Sequence, residues 1–395
     1  MVTGDGAYIK KLNRGLILKV IIEHGLISRA DLSKITGLKK ATISTQVADL
    51  LKEDLIYERP QAHTTVGRRP IMLSINREAA YVLGIDLDYK KVHYSVFDLQ
   101  GNLIFNNIVK LQTVDYDEIV QILIEQIKYY SKVCSNSHYG LVNVMFGLHA
   151  TVNKDESILF VPTYQWHNKN LKSDLQKEID IPISIENSAN LSAYAERVYK
   201  HHHSDHLIAI ILSSGIGVGI IMDGKLNKGY NGYAGEMGHM IISPMGKPCR
   251  CGNHGCWELY SGEPRLFTEL ASQLDTPNLT HQNLKELFTQ SNPIVCQHME
   301  QFIYYLSIGL NNIINSYDPE TLVLTSEVLE MYPNIIEKIK SNLTSSMGKN
   351  RKIYLSELGN KSCVFGACAL AIQRFLEVPE LILTVPEEGT HLYKG

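Results

Sequence analysis

The chain of 395 residues is 44% apolar and 20% charged, the balance of an ordinary globular protein long enough for two or three domains. A net charge of −3 at pH 7 names no partner, and no run of about 18 apolar residues offers a membrane span. The opening MVTGDGAYIKKLNRG lacks the apolar stretch of a secretory signal, so a cytoplasmic protein is expected, in which clustered cysteines suggest metal or catalysis before disulfides.

The charge is unevenly spread. Residues 1–75 hold 12 Lys or Arg against 7 Asp or Glu, a net of +5, and the remainder holds 26 against 34, a net of −8. A basic head on an acidic body follows. In LNRGLILKVIIEHG (12–25), Leu16, Ile17, Val20 and Ile21 recur at helical spacing and Gly25 closes the helix. Ser28 then stands as an N-cap with Asp31 three residues on, Leu32 and Ile35 point inward, and Gly37 makes a sharp turn.

The next helix carries Ile43, Val47, Leu50 and Leu51 on one stripe. Lys39, Lys40, Thr42, Ser44, Thr45 and Gln46 occupy the other, short hydrogen-bonding groups flanked by positive charge, as a helix entering the major groove requires. Two strands around a polar loop follow, with Arg68 and Arg69 at the tip of a wing that a minor groove or phosphate could take. A small helical domain for protein contacts is the bland alternative. The spacing, the wing and the local charge together favour a winged helix-turn-helix over residues 1–75 that binds double-stranded DNA.

From residue 76 the pattern changes to α/β. AAYVLGIDLDYKKVHYSVFDLQGNLI reads as hairpin-linked strands with a turn at 100–102, and DYDEIVQILIEQIKYYSKVC as an amphipathic helix. HLIAIILSSGIGVGIIMDGKLNKG opens a second set of hairpins about 120 residues later. Two similar lobes are expected, at about 80–195 and 196–380, with a closing C-terminal helix near FGACALAIQRFL. The stretch HMIISPMGKPCRCGNHGCWELYSG (239–262) packs three of the chain's seven cysteines into eight residues. His239, Cys249, Cys251 and Cys256 offer one nitrogen and three sulfurs, the donor set of a closed structural zinc site. Free thiols or a disulfide are the alternatives.

GYAGEMGHM followed by CRCGNHGCWE resembles the signature of the ROK family, which groups sugar-responsive repressors and sugar kinases on an actin-like, ribonuclease H-like fold, and the resemblance spans essentially the full chain. It implies a duplicated α/β ROK domain over 76–395, a Zn2+ ion on those four residues, and sugar contacts from Asn187, Glu236, His239 and Glu258. With its DNA-binding head, the chain looks most similar to xylose-responsive members of the family. Xylose is therefore the expected effector, another sugar the alternative, and a homodimer the expected DNA-binding form.

The family's kinases need a general base, supplied by the Asp of ENDAN; here the run is ENSAN and Ser188 stands in its place. A lone serine cannot take a proton efficiently at neutral pH. Their first phosphate loop, DxGGT, is here DLDYKK, without glycines and with Asp88 adding negative charge. Their late Gly-Gly turn is here Thr325-Ser326, leaving SSGIGVG (213–219) as the only Gly-rich turn. A repressor rather than an enzyme is expected, with sugar binding reorienting the lobes and so the two DNA-reading heads. Departures at GLHATVN, with His149 and Thr151, and at PTYQW, with Thr163, fall where family members border the sugar.

Overall fold

A computed structural model describes residues 6–60, 71–348 and 351–386. Arg68 and Arg69 lie outside them.

The head comprises α1 (Gly6–His24), β1 (Ile27–Ser28), α2 (Arg29–Thr36), α3 (Lys40–Lys52), β2 (Ile56–Pro60) and β3 (Ile71–Ile75). Its strands pair in the order β1-β3-β2, all antiparallel. α1 starts at Gly6, well before Leu16 where the apolar period begins, and buries Ile17, Leu18, Val20, Ile21 and Ile22. It ends at Gly25, which takes the left-handed conformation at φ 68°. Ser28 caps α2 by accepting from the Asp31 amide at 3.1 Å, and Gly37 closes it at φ 70°. Leu32 is buried as expected, but Ile35 is 51% exposed. The helix has only two turns, and the second ends at the left-handed cap on the surface. β1 is too short to show any alternation in the sequence.

The rest of the chain runs β4 (Tyr81–Asp88), β5 (Lys91–Asp98), β6 (Leu103–Lys110), α4 (Tyr116–Val133), β7 (Leu141–Leu148), β8 (Thr151–Val152), β9 (Ile158–Val161), β10 (Trp166–Lys169), α5 (Leu171–Gln176), β11 (Ile183–Asn187) and α6 (Ser188–Tyr199). Then come β12 (Leu207–Leu212), β13 (Ile216–Met222), β14 (Lys225–Leu226), a 3-10 turn at Met237–His239, α7 (Glu258–Ser261), α8 (Glu263–Gln273), α9 (His281–Thr289) and α10 (Pro293–Tyr317). The last elements are β15 (Thr321–Thr325), α11 (Glu327–Met331), α12 (Ile335–Asn342), β16 (Lys352–Leu355) and α13 (Ser362–Leu376).

Two five-stranded sheets share one topology. The first is ordered β11-β7-β4-β5-β6 and the second β14-β13-β12-β15-β16. In each, the first strand pairs antiparallel with the second and parallel with the fourth, as β4 does with β5 and β7, and β12 with β13 and β15. This is the duplicated α/β architecture that the two hairpin sets imply. A third sheet, β10-β9-β8, is small and antiparallel.

The chain divides into two compact units, one of Met1–Glu186, Val198–Lys200 and Val364–Gly395, the other of Asn187–Arg197 and His201–Cys363. In the first, Ile85, Val92 and Phe146 pack with Ile119, Leu123 and Ile127 of α4, which Asp115 caps through the Asp117 and Glu118 amides. The C-terminal segment joins this unit. A side chain at Gly84 of β4 would stand 2.7 Å from the Cys368 sulfur of α13, and one at Gly15 of α1 would stand 2.6 Å from the Glu377 carbonyl. Lys11–Glu377 at 2.6 Å and Lys19–Glu380 at 2.7 Å add ion pairs between α1 and that segment. In the second unit Ile208, Ile210 and Val218 pack with Phe302, Leu306 and Ile313 of α10. Among the described residues no helix is long and apolar enough to cross a membrane.

Candidate functional site

Lys39, at the N-cap of α3, and Lys40, Ser44 and Thr45 on it are exposed and Thr42 is half-buried, a polar face opposite the buried Ile43, Val47 and Leu50. Gln46 departs from the expected set. It is 4% exposed, and its side-chain amide donates to the Lys10 carbonyl of α1 at 3.4 Å. Gln46 lies three residues after Ile43 and four before Leu50, so the helical period carries it onto the inner face. A polar residue there reads as surface in the sequence, yet here it ties α3 to α1.

His239, Cys249, Cys251 and Cys256 come together: one donor atom from each lies within 4.8 Å of all the others. Two glycines press this stretch into place. Gly235 has φ 100° and would put a side chain 2.0 Å from the Val218 carbonyl of β13; Gly255 has φ 83° and would put one 1.8 Å from the Ser243 carbonyl. The 3-10 turn thus lies against β13, and a tight loop held by bridges Ile241↔Cys256 and Pro248↔His254 returns the cysteines to it. Behind the loop Trp257 is fully buried, donates its indole N–H to the Tyr305 carbonyl at 3.0 Å, and packs on α10 at Gly309. That anchor is missed by motif reading; the single tryptophan beside the last cysteine was its only trace.

The donor geometry fits zinc. The His239 Nδ1 lies 3.6 Å from the Cys249 sulfur, and the Cys251 and Cys256 sulfurs lie 3.6 Å apart. A tetrahedral ion with Zn–S bonds of about 2.3 Å spaces its sulfurs by about 3.8 Å. Burial raises the Cys249 thiol and pushes Cys256 up to about 12. Burial acts the same way on Cys251, but the Asn253 amide and the neighbouring thiols outweigh it and lower that group. A cation held by the three sulfurs would draw off their protons and offset the repulsion of the thiolates so formed. His254 is exposed and is not in the cluster. Cys134, Cys363 and Cys368 are buried, as packing residues are, and Cys296 is half-buried.

The four residues that the family resemblance puts on a sugar are placed as follows. Glu258 begins α7 and is largely buried; its Oε1 lies 3.5 Å from both the His239 Nδ1 and the Cys249 sulfur. Its Oε2 is 3.9 Å from Arg250 and faces Gly215, where a side chain would stand 2.9 Å away. Glu236 is exposed and opens the 3-10 turn, its carbonyl accepting from the His239 amide at 3.1 Å. Asn187 is half-buried, and its side-chain oxygen accepts from the Ala189 and Asn190 amides at the start of α6. α6 in turn packs on β13, with Ala189 against Gly217 and Gly219. The stretch of Glu236 and His239 and the helix start beside Asn187 therefore lie against β13, Glu258 faces the turn before it, and His239 and Glu258 touch directly.

The same packing revises the Gly-rich run. Gly217 and Gly219 lie inside β13 and admit α6, leaving Ser213–Gly215 as the turn. The other positions at which a kinase would handle phosphate are engaged too. At the β4–β5 turn, Asp88 pairs with Lys91 at 3.1 Å and accepts from the Tyr89 amide. The Tyr164 hydroxyl accepts from the Lys90 amide at 3.2 Å and donates to the Asp88 carbonyl at 2.7 Å. Ser188 is buried at the first position of α6. Ser326 caps α11, accepting from the Leu329 amide, and donates to Glu263, a buried carboxyl that burial raises and hydrogen bonds from Ser326, His281 and the Val328 amide lower in part.

Comparison with known proteins decides the family. The ROK family profile matches residues 82–374, and a winged helix-turn-helix DNA-binding profile matches 12–57. The chain belongs to the ROK family. It is 35% identical to the xylose repressor of Bacillus subtilis (strain 168), an alignment covering 95% of this chain and 98% of that one. A ROK family transcriptional regulator, a homologue of the Escherichia coli MLC protein, superposes with a TM-score of 0.81 at 24% identity, covering 93% of this chain and 97% of the other. A ROK glucokinase from Streptomyces griseus, solved with glucose and AMPPNP, superposes with a TM-score of 0.64 at 24% identity. It covers 74% of this chain and 99% of its own, so its fold accounts for about as much of this chain as the ROK region alone. The Bacillus subtilis protein, matched over 98% of its length with the DNA-binding head included, is named a xylose repressor.

Proposed function

We propose that the chain is a transcriptional repressor of a sugar-utilisation operon that reads a palindromic operator as a homodimer and is released by a monosaccharide, xylose first. The observation that carries this reading is the likeness, head included, to a xylose repressor over 95% of the chain. In the head, Lys39 and Lys40 meet phosphates while Thr42, Ser44 and Thr45 reach base edges; Arg68 and Arg69 of the wing take a further groove or phosphate contact. A helix-turn-helix of this kind reads paired half-sites, which calls for two copies.

In the ROK domain, Glu258, His239, Glu236 and Asn187 hold the sugar hydroxyls. His239 serves twice, with Nδ1 turned to the cysteines and the far side of the ring toward sugar. Zn2+ on His239, Cys249, Cys251 and Cys256 supplies no chemistry beyond fixing the loop, and so the position of Glu258. The sugar acts only by binding the operator-free state more tightly than the operator-bound one. Ser188 in place of a base and the occupied amides of the β4–β5 turn support a binding domain without phosphoryl transfer.

A gel shift with the chain's own upstream region tests this. Retarded DNA that millimolar xylose releases is the expected outcome, with glucose and arabinose as comparison sugars. Binding no tighter than to random duplex at moderate salt would remove the repressor reading, and release by a comparison sugar alone would replace xylose.

A further inference from the structure

A cavity of about 540 Å³ opens between the wing and the turn that joins β5 to β6. That volume lies within the usual range for small-molecule sites. The alternation of β2 and β3 puts Tyr57, Arg59 and Ser74 on one face, with Tyr57 directly across from Ser74. Leu26, just past α1, adds an exposed apolar wall, and Arg77 and Gln100 complete the lining from the side of the first lobe.

Two features point to a ligand. Ser74 is only 7% exposed, and its hydroxyl has no hydrogen-bond partner among the described residues. A buried hydroxyl without a partner is rare and asks for a reason. The cavity also carries two guanidinium groups against the single carboxylate of Glu78. Arg59 is held over the Tyr57 ring, 4.4 Å from its centroid, and donates to the Tyr57 hydroxyl at 2.6 Å. Arg77 reaches Glu78 only at 3.4 Å and Asp98 only at 3.9 Å, so its donors are loosely engaged. Two guanidinium groups in the lining of one cavity suit an oxyanion, which accepts from planar N–H forks.

We propose that this cavity binds a small metabolite bearing a phosphate or carboxylate group. Its oxyanion sits between Arg59 and Arg77, and one of its polar atoms pairs with the Ser74 hydroxyl. The ligand spans the wing and the first lobe, so it steadies the head in one position. This site is separate from the sugar-contact residues, which belong to the other compact unit.

Calorimetric titration of the full chain, in buffer free of both anions, with inorganic phosphate and in a second arm with citrate, tests the proposal. Saturable binding of one of them is expected, and which one binds separates the phosphate from the carboxylate source. Arg77→Gln lowers the affinity at least tenfold and leaves operator binding without anion unchanged. Ser74→Ala lowers the affinity about fivefold while the ligand-free protein melts at the same or a higher temperature, because an unpaired hydroxyl has gone. Absence of binding of both anions, affinity unmoved in both variants, or loss of operator binding in Arg77→Gln without anion would each overturn it; the last would make Arg77 a DNA contact.

Discussion

Gly309→Ala probes the metal loop from behind. The added methyl would stand 2.0 Å from Cε2 of Trp257, a fully buried ring in the middle of the second unit's core. Carbon atoms in ordinary contact lie about 3.8 Å apart, so ring or helix must yield by roughly 1.8 Å. Overpacking of a tight core costs up to about 3 kcal/mol. Shifting the ring also strains the indole bond to the Tyr305 carbonyl, worth about 1 kcal/mol. Alanine's better helix propensity returns about 1 kcal/mol. The net is about 3 kcal/mol, a fall of roughly 6–12 °C in melting temperature for a unit of this size. Differential scanning calorimetry gives the number, and elemental analysis shows whether zinc is lost with it. The companion is Trp257→Leu, which makes room for the methyl. The double variant should lose at least about 1 kcal/mol less than the two single losses added together. A single variant that melts within 2 °C of the parent would refute the close packing of Trp257 on α10.

Cys251→Ser should remove the metal, read as a fall from one zinc per chain to near zero by elemental analysis, and should lower the melting temperature of the ROK domain while the head stays folded. Gln46→Ala should cost the head about 1 kcal/mol and leave base preference unchanged in a binding-site selection, whereas Ser44→Ala should alter that preference at one position per half-site. Ser188→Asp restores a carboxylate at the kinase base position but should yield no phosphate transfer from ATP to any sugar in a coupled assay, because the turn amides stay occupied, that of Lys90 by the Tyr164 hydroxyl and that of Tyr89 by the Asp88 carboxylate. Burial raises the carboxyl of Glu156, but Lys172 and Arg374 outweigh that and hold it below the usual range. Its contribution to stability is therefore present above the unfolded carboxylate pKa and lost as pH falls through the folded one. Glu156→Gln should flatten the acid limb of a melting-temperature profile.

The elements with long periods were legible. Helices α1, α4 and α10 and the paired hairpins of both lobes follow directly from apolar spacing, and the cysteine cluster follows from residue type and proximity. What escaped was decided by tertiary partners. Gln46 is polar yet buried because one carbonyl of α1 waits for its amide. Ile35 is apolar yet exposed because its helix is short. Gly217 and Gly219 looked like a phosphate turn and are instead places where a helix meets a strand. Tyr164, 76 residues from Asp88, could not be connected to the β4–β5 turn by any local rule.

The pressing of Gly15 on Glu377, and of Gly84 on Cys368, has a consequence for biosynthesis. The first half of the polypeptide emerges from the ribosome well before its stabilising end has been made. Copies terminated before α13 would leave the DNA-reading module without the segment that packs on α1, so they should be cleared by proteolysis instead of lingering on the operator as sugar-blind silencers.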